Sequence, residues 1–251
     1  LAKVVVSAAM LIGMVMLQGF ANAQETFRVT LLGTGTPTPS PQRFGPATLV
    51  EVGNQKLLFD AGRGVPIRLS QLRIPMASID TLFITHYHSD HVSGIPDLWL
   101  TAWLPGGGRR RQPFRVIGPT GAKQLMENLE RAYAADVRIR IADQKLPAAG
   151  ASVITEEFAS DGVVYERDGV RVTALVRKNS PSRSVLPSGP HVSAVEIDAS
   201  DPRAFSESVA GLSADVVFNL ASAGVNPTDR DPLAMLDGNA RFLAVLLGAL
   251  E

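Results

Sequence analysis

The chemistry of this chain is concentrated in one short stretch, THYHSDHVSG, at residues 85–94. Three of the four histidines in the sequence, His86, His88 and His91, fall within six positions there, and Asp90 lies among them. Imidazole nitrogens and carboxylate oxygens are good ligands for zinc and similar divalent ions. We predict that His86 and His88 hold one ion and that Asp90 and His91 face a second. Ions so placed would make bound water reactive near neutral pH.

Asp90 has a second predicted role, because its carboxylate could hold or relay the proton of that water. The competing interpretation is a group of surface histidines that bind no metal.

The elements around this stretch predict an α/β layered fold, in which the histidines follow a buried apolar strand at residues 79–85. A hairpin turn is predicted at Gly53–Asn54, and a second one at residues 168–169. Other strands are predicted at residues 27–32, 48–53, 56–60 and 114–118, and helices at residues 65–72, 95–104 and 122–134.

Composition gives weaker constraints. The chain has 251 residues, of which 45% are apolar, and its 24 Lys+Arg balance its 24 Asp+Glu. A net charge near zero argues against a nucleic-acid partner, because such binders usually carry a basic face. The one dense basic run, Arg109 to Arg111, is interpreted as a solvated loop. Since there is no cysteine, disulfides and thiolate ligands are excluded.

The amino terminus predicts a cleaved export signal over residues 1–23. Lys3 precedes an apolar run at residues 4–17, and ANA at residues 21–23 is typical of a cleavage site. We therefore expect a periplasmic or secreted protein with no membrane anchor after cleavage. A buried core helix is the alternative.

HYHSDH matches the HxHxDH signature of the metallo-β-lactamase superfamily. LLGTGTP at residues 31–37 and LLFDAGRG at residues 57–64 follow the order of the branch that resembles ribonuclease Z and periplasmic arylsulfatases, and GIPDLWLTAWL at residues 94–104 is most similar to the sulfatase-like members. The resemblance covers about residues 27–173.

The resemblance implies an αββα sandwich with two zinc ions. It carries over His86 and His88 as ligands of one ion, and Asp90 and His91 as ligands of the other. It implies that Asp60 braces the loop at residues 85–94, called the metal loop below, by hydrogen bonds instead of binding metal. From the residues alone, Asp60 is equally well interpreted as a turn former.

The family pattern breaks downstream, where the resemblance implies two more histidines and a bridging aspartate in a GDT-like turn. No GDT is present, and His191 is the only histidine beyond His91. Its surroundings do not resemble either family position, so a solvated histidine is the competing interpretation.

The carboxyl-terminal part instead resembles the Rossmann portion of extended short-chain dehydrogenases. Arg177, Asp198 and the turn at residues 220–222 match positions that line the cofactor there. The glycine-rich first turn and the Tyr-x-x-x-Lys pair are absent from the chain, so we expect no NAD-type cofactor.

We accordingly predict three segments: the signal peptide at residues 1–23, a metallo-β-lactamase-like domain at residues 24–173, and a Rossmann-like β–α fragment at residues 174–251. The last two would be joined as a splice near residues 170–176. A divergent carboxyl half of one metallohydrolase is the alternative.

The function we predict is that of a zinc-dependent hydrolase whose activated water attacks a small sulfate or phosphate ester. The alternatives are a catalytically impaired metal-binding remnant and, with less support, a nucleotide-binding module. The export signal and the neutral charge argue against nucleic acid as substrate.

Overall fold

The structure is a computed structural model that describes residues 27–160 and 162–174. It contains a six-stranded sheet in chain order, a two-stranded sheet and four α-helices within those residues. The strands are β1 Phe27–Gly33, β2 Ala47–Val52, β3 Gln55–Phe59, β4 Thr81–Phe83, β5 Phe114–Pro119, β6 Val153–Phe158, β7 Gly162–Arg167 and β8 Val170–Ala174. The helices are α1 Val65–Gln71, α2 Ser89–Val92, α3 Ile95–Trp103 and α4 Ala122–Gln144.

The predicted α/β class is confirmed by this mixture of sheet and helices. The predicted signal peptide and the Rossmann-like units lie outside the described residues, so these segments and their boundaries stay predictions. No helix in the part of the chain that the structure describes is long and apolar enough to cross a membrane.

The direction of the strands changes within the main sheet. Strands β1, β2 and β3 pair antiparallel, whereas β3, β4, β5 and β6 pair parallel. In the register of β3 with β4, Phe59 lies opposite Phe83. The residues that follow these two strands therefore leave the sheet side by side at one edge, where the histidine cluster begins.

Alternate side chains of each strand point to opposite faces of the sheet, and both faces are covered. Leu58 and Leu82 face a large apolar cluster that includes Trp99 of α3. On the opposite face, a smaller buried cluster packs against the β7–β8 hairpin. That cluster consists of Val50, Leu57, Phe83 and Ile117. The helices thus cover one face and the hairpin contacts the other.

Polar contacts as well as apolar ones dock the hairpin on the sheet. The Gln55 side-chain amide donates to the carbonyl of Arg167 over 2.9 Å, and the Tyr165 hydroxyl donates to Gln55 Oε1 over 2.5 Å. The Tyr165 ring packs edge-on to Phe83, with 5.7 Å between the ring centroids.

Three predicted elements differ from those observed. The strand expected at residues 79–85 forms only over Thr81–Phe83. Beyond it, the Thr85 backbone N–H donates to the Asp60 carboxylate and not to a neighbouring strand. Helix α4 extends ten residues beyond its predicted end at residue 134, since Val137 and Ile141 continue its apolar spacing. Strand β6 was not predicted, because an edge strand with adjacent glutamates lacks the apolar run of a buried one.

The interpretation of Arg109 to Arg111 as a solvated loop is wrong for the middle residue. Arg110 is buried, and its guanidinium lies 4.5 Å over the Phe114 ring and donates to the carbonyl of Met76 over 3.2 Å. Burial lowers the pKa of Arg110 to about 10. The side chain therefore fills the core beneath α3 through its planar, weakly hydrated head group.

Candidate metal centre

Asp60 is the buried anchor of the candidate site. It follows β3 in a left-handed backbone conformation, with φ of 61°, and its backbone N–H donates to the carbonyl of Phe83 over 2.8 Å. Only 4% of the residue is exposed. The backbone geometry therefore turns its carboxylate toward the end of β4 and out of solvent.

The Asp60 carboxylate accepts hydrogen bonds from two neighbouring parts of the metal loop. Its Oδ1 accepts from the Thr85 backbone N–H over 2.9 Å. The Thr85 hydroxyl lies 3.0 Å from Oδ1 and 2.8 Å from Oδ2. The Nδ1 atom of His91 lies 2.6 Å from Oδ2. Both carboxylate oxygens are thus engaged, which favours a supporting role for Asp60 over a role as metal ligand.

Direct backbone packing holds the loop against the turn after β3. The Ala61 N–H donates to the carbonyl of His91, and the Gly94 N–H donates to the carbonyl of Ala61, each over 2.8 Å. A Cβ atom on Gly62 would lie 2.4 Å from the carbonyl oxygen of Asp90, which is closer than real Cβ atoms approach. The absence of a side chain at Gly62 is therefore what lets the two segments touch.

The three clustered histidines converge. His86 Nε2 lies 3.1 Å from His88 Nδ1, and the ring centroids of His86 and His91 are 4.0 Å apart. The Nε2 atom of His91 lies 3.8 Å from Asp90 Oδ2. One potential donor atom from each of His86, His91 and Asp60 lies within 4.8 Å of the other two, although both Asp60 oxygens already accept hydrogen bonds. The structure thus brings together all four predicted ligands and the predicted support.

These residues fit a divalent ion. Two ligands at 2.0–2.1 Å from a tetrahedral zinc stand about 3.3 Å apart, close to the 3.1 Å between the His86 and His88 nitrogens. Asp90 is buried, and its Oδ1 has no hydrogen-bond partner among the described residues. An unsatisfied buried acceptor costs about 1–3 kcal/mol, and a bound cation would offset that cost. The assignment of individual ligands stays a prediction.

The pKa values of two imidazoles in the cluster shift in opposite directions. Burial lowers the pKa of His86 below its usual range, and the neighbouring His91 adds to that shift. Burial also acts to lower the pKa of His91, but its hydrogen bond to Asp60 and the negative charges of Asp60 and Asp90 raise it overall. Asp60 therefore favours a proton on His91 Nδ1, the nitrogen that faces it, and leaves Nε2 directed toward Asp90.

Tyr87 and Thr85 are two contributors to the site that sequence reasoning missed. The Tyr87 hydroxyl donates to the carbonyl of Pro119 at the end of β5, and its ring lies beside Gly121. It thereby ties the segment between His86 and His88 to the neighbouring strand. No local spacing could have indicated this contact, because the partner is 32 residues away in the chain.

The other residues singled out from the sequence are not placed. His191, Arg177 and Asp198 lie outside the described residues, and their roles stay predictions. No histidine follows His91 within residues 27–160 and 162–174. The two further imidazoles that the resemblance implies are therefore not supplied by the described part of the chain.

Comparisons with known proteins find one family model and several sequence relatives. Residues 27–113 match the family model described as anti-Pycsar protein Apyc1. The chain is 36% identical to ribonuclease Z of Mycobacterium marinum over 153 residues, covering 61% of this chain and 54% of that protein. It is 40% identical to ribonuclease Z of Mycolicibacterium gilvum over 144 residues, covering 57% of this chain and 50% of that protein.

Among solved structures, human tRNase Z, short form, aligns with a TM-score of 0.47 and 24% identity, covering 59% of each chain. The chain spans about half the length of the curated relatives it matches, at 54% and 50%. The resemblance to the ribonuclease Z branch of the metallo-β-lactamase superfamily is confirmed by these sequence relatives. They give no support to the resemblance of the carboxyl-terminal part to dehydrogenases or to the likeness to arylsulfatases.

The predicted choice of a small-molecule ester over nucleic acid is wrong. The sequence relatives are ribonucleases by name. Net charge misled the prediction because it is a sum over the whole chain, whereas contact with a phosphate backbone depends on the local potential at one surface. An export signal bears on where a protein works and does not define its substrate.

Proposed function

Since this chain is homologous to ribonuclease Z, in the metallo-β-lactamase superfamily, over 61% of its length, we propose that it contributes to a metal-dependent phosphodiesterase site with RNA as its substrate class. The observation that carries the proposal is the convergence of three imidazoles and one carboxylate at the edge of the sheet. The names of the relatives supply the substrate class.

We propose zinc as the metal, because its usual protein ligands include the donor types present here. The donors are imidazole nitrogens and carboxylate oxygens, without a thiolate, since the chain contains no cysteine. When bound, such ions lower the pKa of water and polarise the phosphoryl group under attack. We propose that His86 and His88 hold one ion and that Asp90 and His91 contribute to a second.

Hydrolysis of a phosphodiester forms a bond from water oxygen to phosphorus and breaks one ester P–O bond. The proton of the water must be taken up, and the departing oxygen must gain one. We assign the first task to Asp90, because it is buried in the cluster and its Oδ1 has no partner in the described structure. Asp60 does not share this task, since both of its oxygens accept hydrogen bonds from the loop.

The described residues supply only part of the ligand set that the family resemblance implies. We therefore propose that activity needs ligands from outside residues 27–174. His191 is one candidate, and a chain that lacks the others would bind metal without turnover. That impaired remnant is the second function class that the experiment below separates.

The test uses the purified full chain, loaded with zinc and measured in two ways. Metal content reports the site, and turnover of a precursor tRNA, an aryl phosphodiester and an aryl sulfate reports the reaction. We expect about two zinc ions per chain for the enzyme and one or none for the remnant. Cleavage of RNA or of the phosphodiester supports the proposal, whereas cleavage of the aryl sulfate alone would reject it.

Two substitutions tie the result to the site. His88→Ala should lose metal and all activity. Asp90→Asn should lose activity and weaken metal binding, whereas Asp97→Asn makes the same chemical change on the exposed surface of α3 and should behave like the unsubstituted protein. Full metal content in His88→Ala would reject the site assignment.

We also propose export of the protein through the signal predicted at residues 1–23. The support is the sequence pattern alone. Amino-terminal sequencing of the protein recovered from cells should give a start near Gln24, and an uncleaved terminus would contradict the proposal.

A further inference from the structure

Thr85 occupies a bridging position between the buried carboxylate and the first histidine of the cluster. Its hydroxyl oxygen lies 2.8 Å from Asp60 Oδ2, 3.0 Å from Asp60 Oδ1 and 3.0 Å from His86 Nδ1. Its backbone N–H donates to the same carboxylate over 2.9 Å. The hydroxyl is thus within hydrogen-bond distance of two groups that differ in what they can donate.

The proton inventory of these groups favours one arrangement, because an ionised carboxylate is a stronger acceptor than a neutral imidazole nitrogen. A carboxylate only accepts hydrogen bonds, and a threonine hydroxyl has a single proton to donate. If that proton goes to Asp60, then Thr85 Oγ1 must accept from His86, whose Nδ1 consequently carries a proton. The Nε2 atom of His86 is left with its lone pair, at 3.1 Å from His88 Nδ1.

The same proton inventory applies to His91, which contacts Asp60 directly and not through a hydroxyl. Its Nδ1 lies 2.6 Å from Asp60 Oδ2, so it donates directly to the carboxylate and keeps the Nε2 lone pair free. One aspartate thus sets the proton positions of two histidines, one directly and one through a hydroxyl. A nitrogen that carries a proton cannot bind a metal, so this choice decides which face of each ring is a ligand.

We propose that Thr85 is a positioning residue that holds His86 in the Nδ1–H tautomer and thereby presents Nε2 to a divalent ion. This inference rests on the proposed function only in naming the ion as a metal, because the tautomer itself is a property of the metal-free protein. We assign Thr85 no contact with substrate or metal, and its effect passes through His86.

The experiment compares Thr85→Val with Thr85→Ser in the full chain. Valine keeps the branched shape of threonine and removes the hydroxyl, whereas serine keeps the hydroxyl. Thr101→Val is the matched control, because it removes a hydroxyl that donates a hydrogen bond of 3.0 Å to the Asp97 carboxylate on α3. Long-range ¹⁵N–¹H spectra of the metal-free proteins report the tautomer of His86. Competition with a chromophoric chelator reports the zinc affinity.

We expect the Nδ1–H tautomer at His86 in the unsubstituted protein, in Thr85→Ser and in Thr101→Val. Thr85→Val should shift His86 toward the Nε2–H form and weaken zinc binding about 10- to 100-fold, as for other groups that orient a ligand. Serine should restore most of the affinity. A general loss of packing would impair both variants alike.

Three results would overturn the inference. The first is a His86 tautomer in Thr85→Val that is unchanged from the unsubstituted protein. The second is zinc affinity equal in these two proteins. The third is an equal loss in Thr85→Ser, which would assign the effect to shape and not to the hydroxyl. If the unsubstituted chain bound no zinc, the proposed function would fail, while the tautomer measurement would still decide the role of Thr85.

Discussion

Substitution of Gly62 by alanine should damage the metal loop from beneath, without altering any ligand. A Cβ atom there would lie 2.4 Å from the carbonyl oxygen of Asp90 and 2.5 Å from the carbonyl carbon of Gly45. Both neighbours are backbone atoms, so neither can rotate away. Gly62 has no positive φ, and alanine therefore meets a steric obstacle and not a conformational one.

The magnitude follows from the cost of inserting a methyl group into a tightly packed site, which is about 1–3 kcal/mol. At about 2–4 °C per kcal/mol for a chain of 150–250 residues, the melting temperature should fall by about 2–12 °C. Since the loop must move away from Gly62 to relieve the contact, Asp90 and His91 should shift together. Zinc affinity should therefore fall along with stability.

The assay is thermal unfolding by circular dichroism, with and without zinc, together with zinc titration. Gly106→Ala is the control, because a Cβ atom there has nothing within 4 Å and Gly106 also has no positive φ. It should leave both quantities close to those of the unsubstituted protein. If Gly62→Ala melted and bound zinc like Gly106→Ala, the close packing inferred beneath the metal loop would be refuted.

The remaining predictions concern the support of the loop and the core. Tyr87→Phe removes the hydroxyl bond to Pro119 and should cost about 0.5–1.5 kcal/mol, measured by urea unfolding; an unchanged midpoint would show that the bond contributes nothing. Glu157→Ala removes the carboxylate that accepts from the backbone N–H groups of Gly121 and Lys123 at the amino terminus of α4 and should cost about 0.5–2 kcal/mol, read from the loss of helical signal on heating. Trp99→Ala empties a site that is 1% exposed and should cost about 3–5 kcal/mol, enough to prevent recovery of soluble protein. Removal of zinc by a chelator should lower the melting temperature, by the equivalent of about 2.7 kcal/mol if zinc had been present at 100 times its dissociation constant; equal melting curves would argue against a metal site.

The candidate ligands could be predicted because they are local. His86, His88, Asp90 and His91 lie within six positions, so their types and spacing alone indicated a metal site. The β2–β3 hairpin and helix α3 could also be predicted from the sequence, since turn chemistry and apolar spacing are local too. Strand β6 was not predicted, because it is defined by its pairing with β5 and not by an apolar run of its own. The last ten residues of α4 were missed although Val137 and Ile141 continue its apolar spacing.

The supporting contacts of the site came only from the tertiary structure. Asp60 and Thr85 are 25 residues apart, and they meet because β3 and β4 pair in parallel with Phe59 opposite Phe83. A hydrogen-bond network that assigns protons to two imidazoles needs that register to within a fraction of an ångström. Residue types and their order determined which groups could bind a metal, and the pairing of two strands decided which nitrogen of each ring is free to do so.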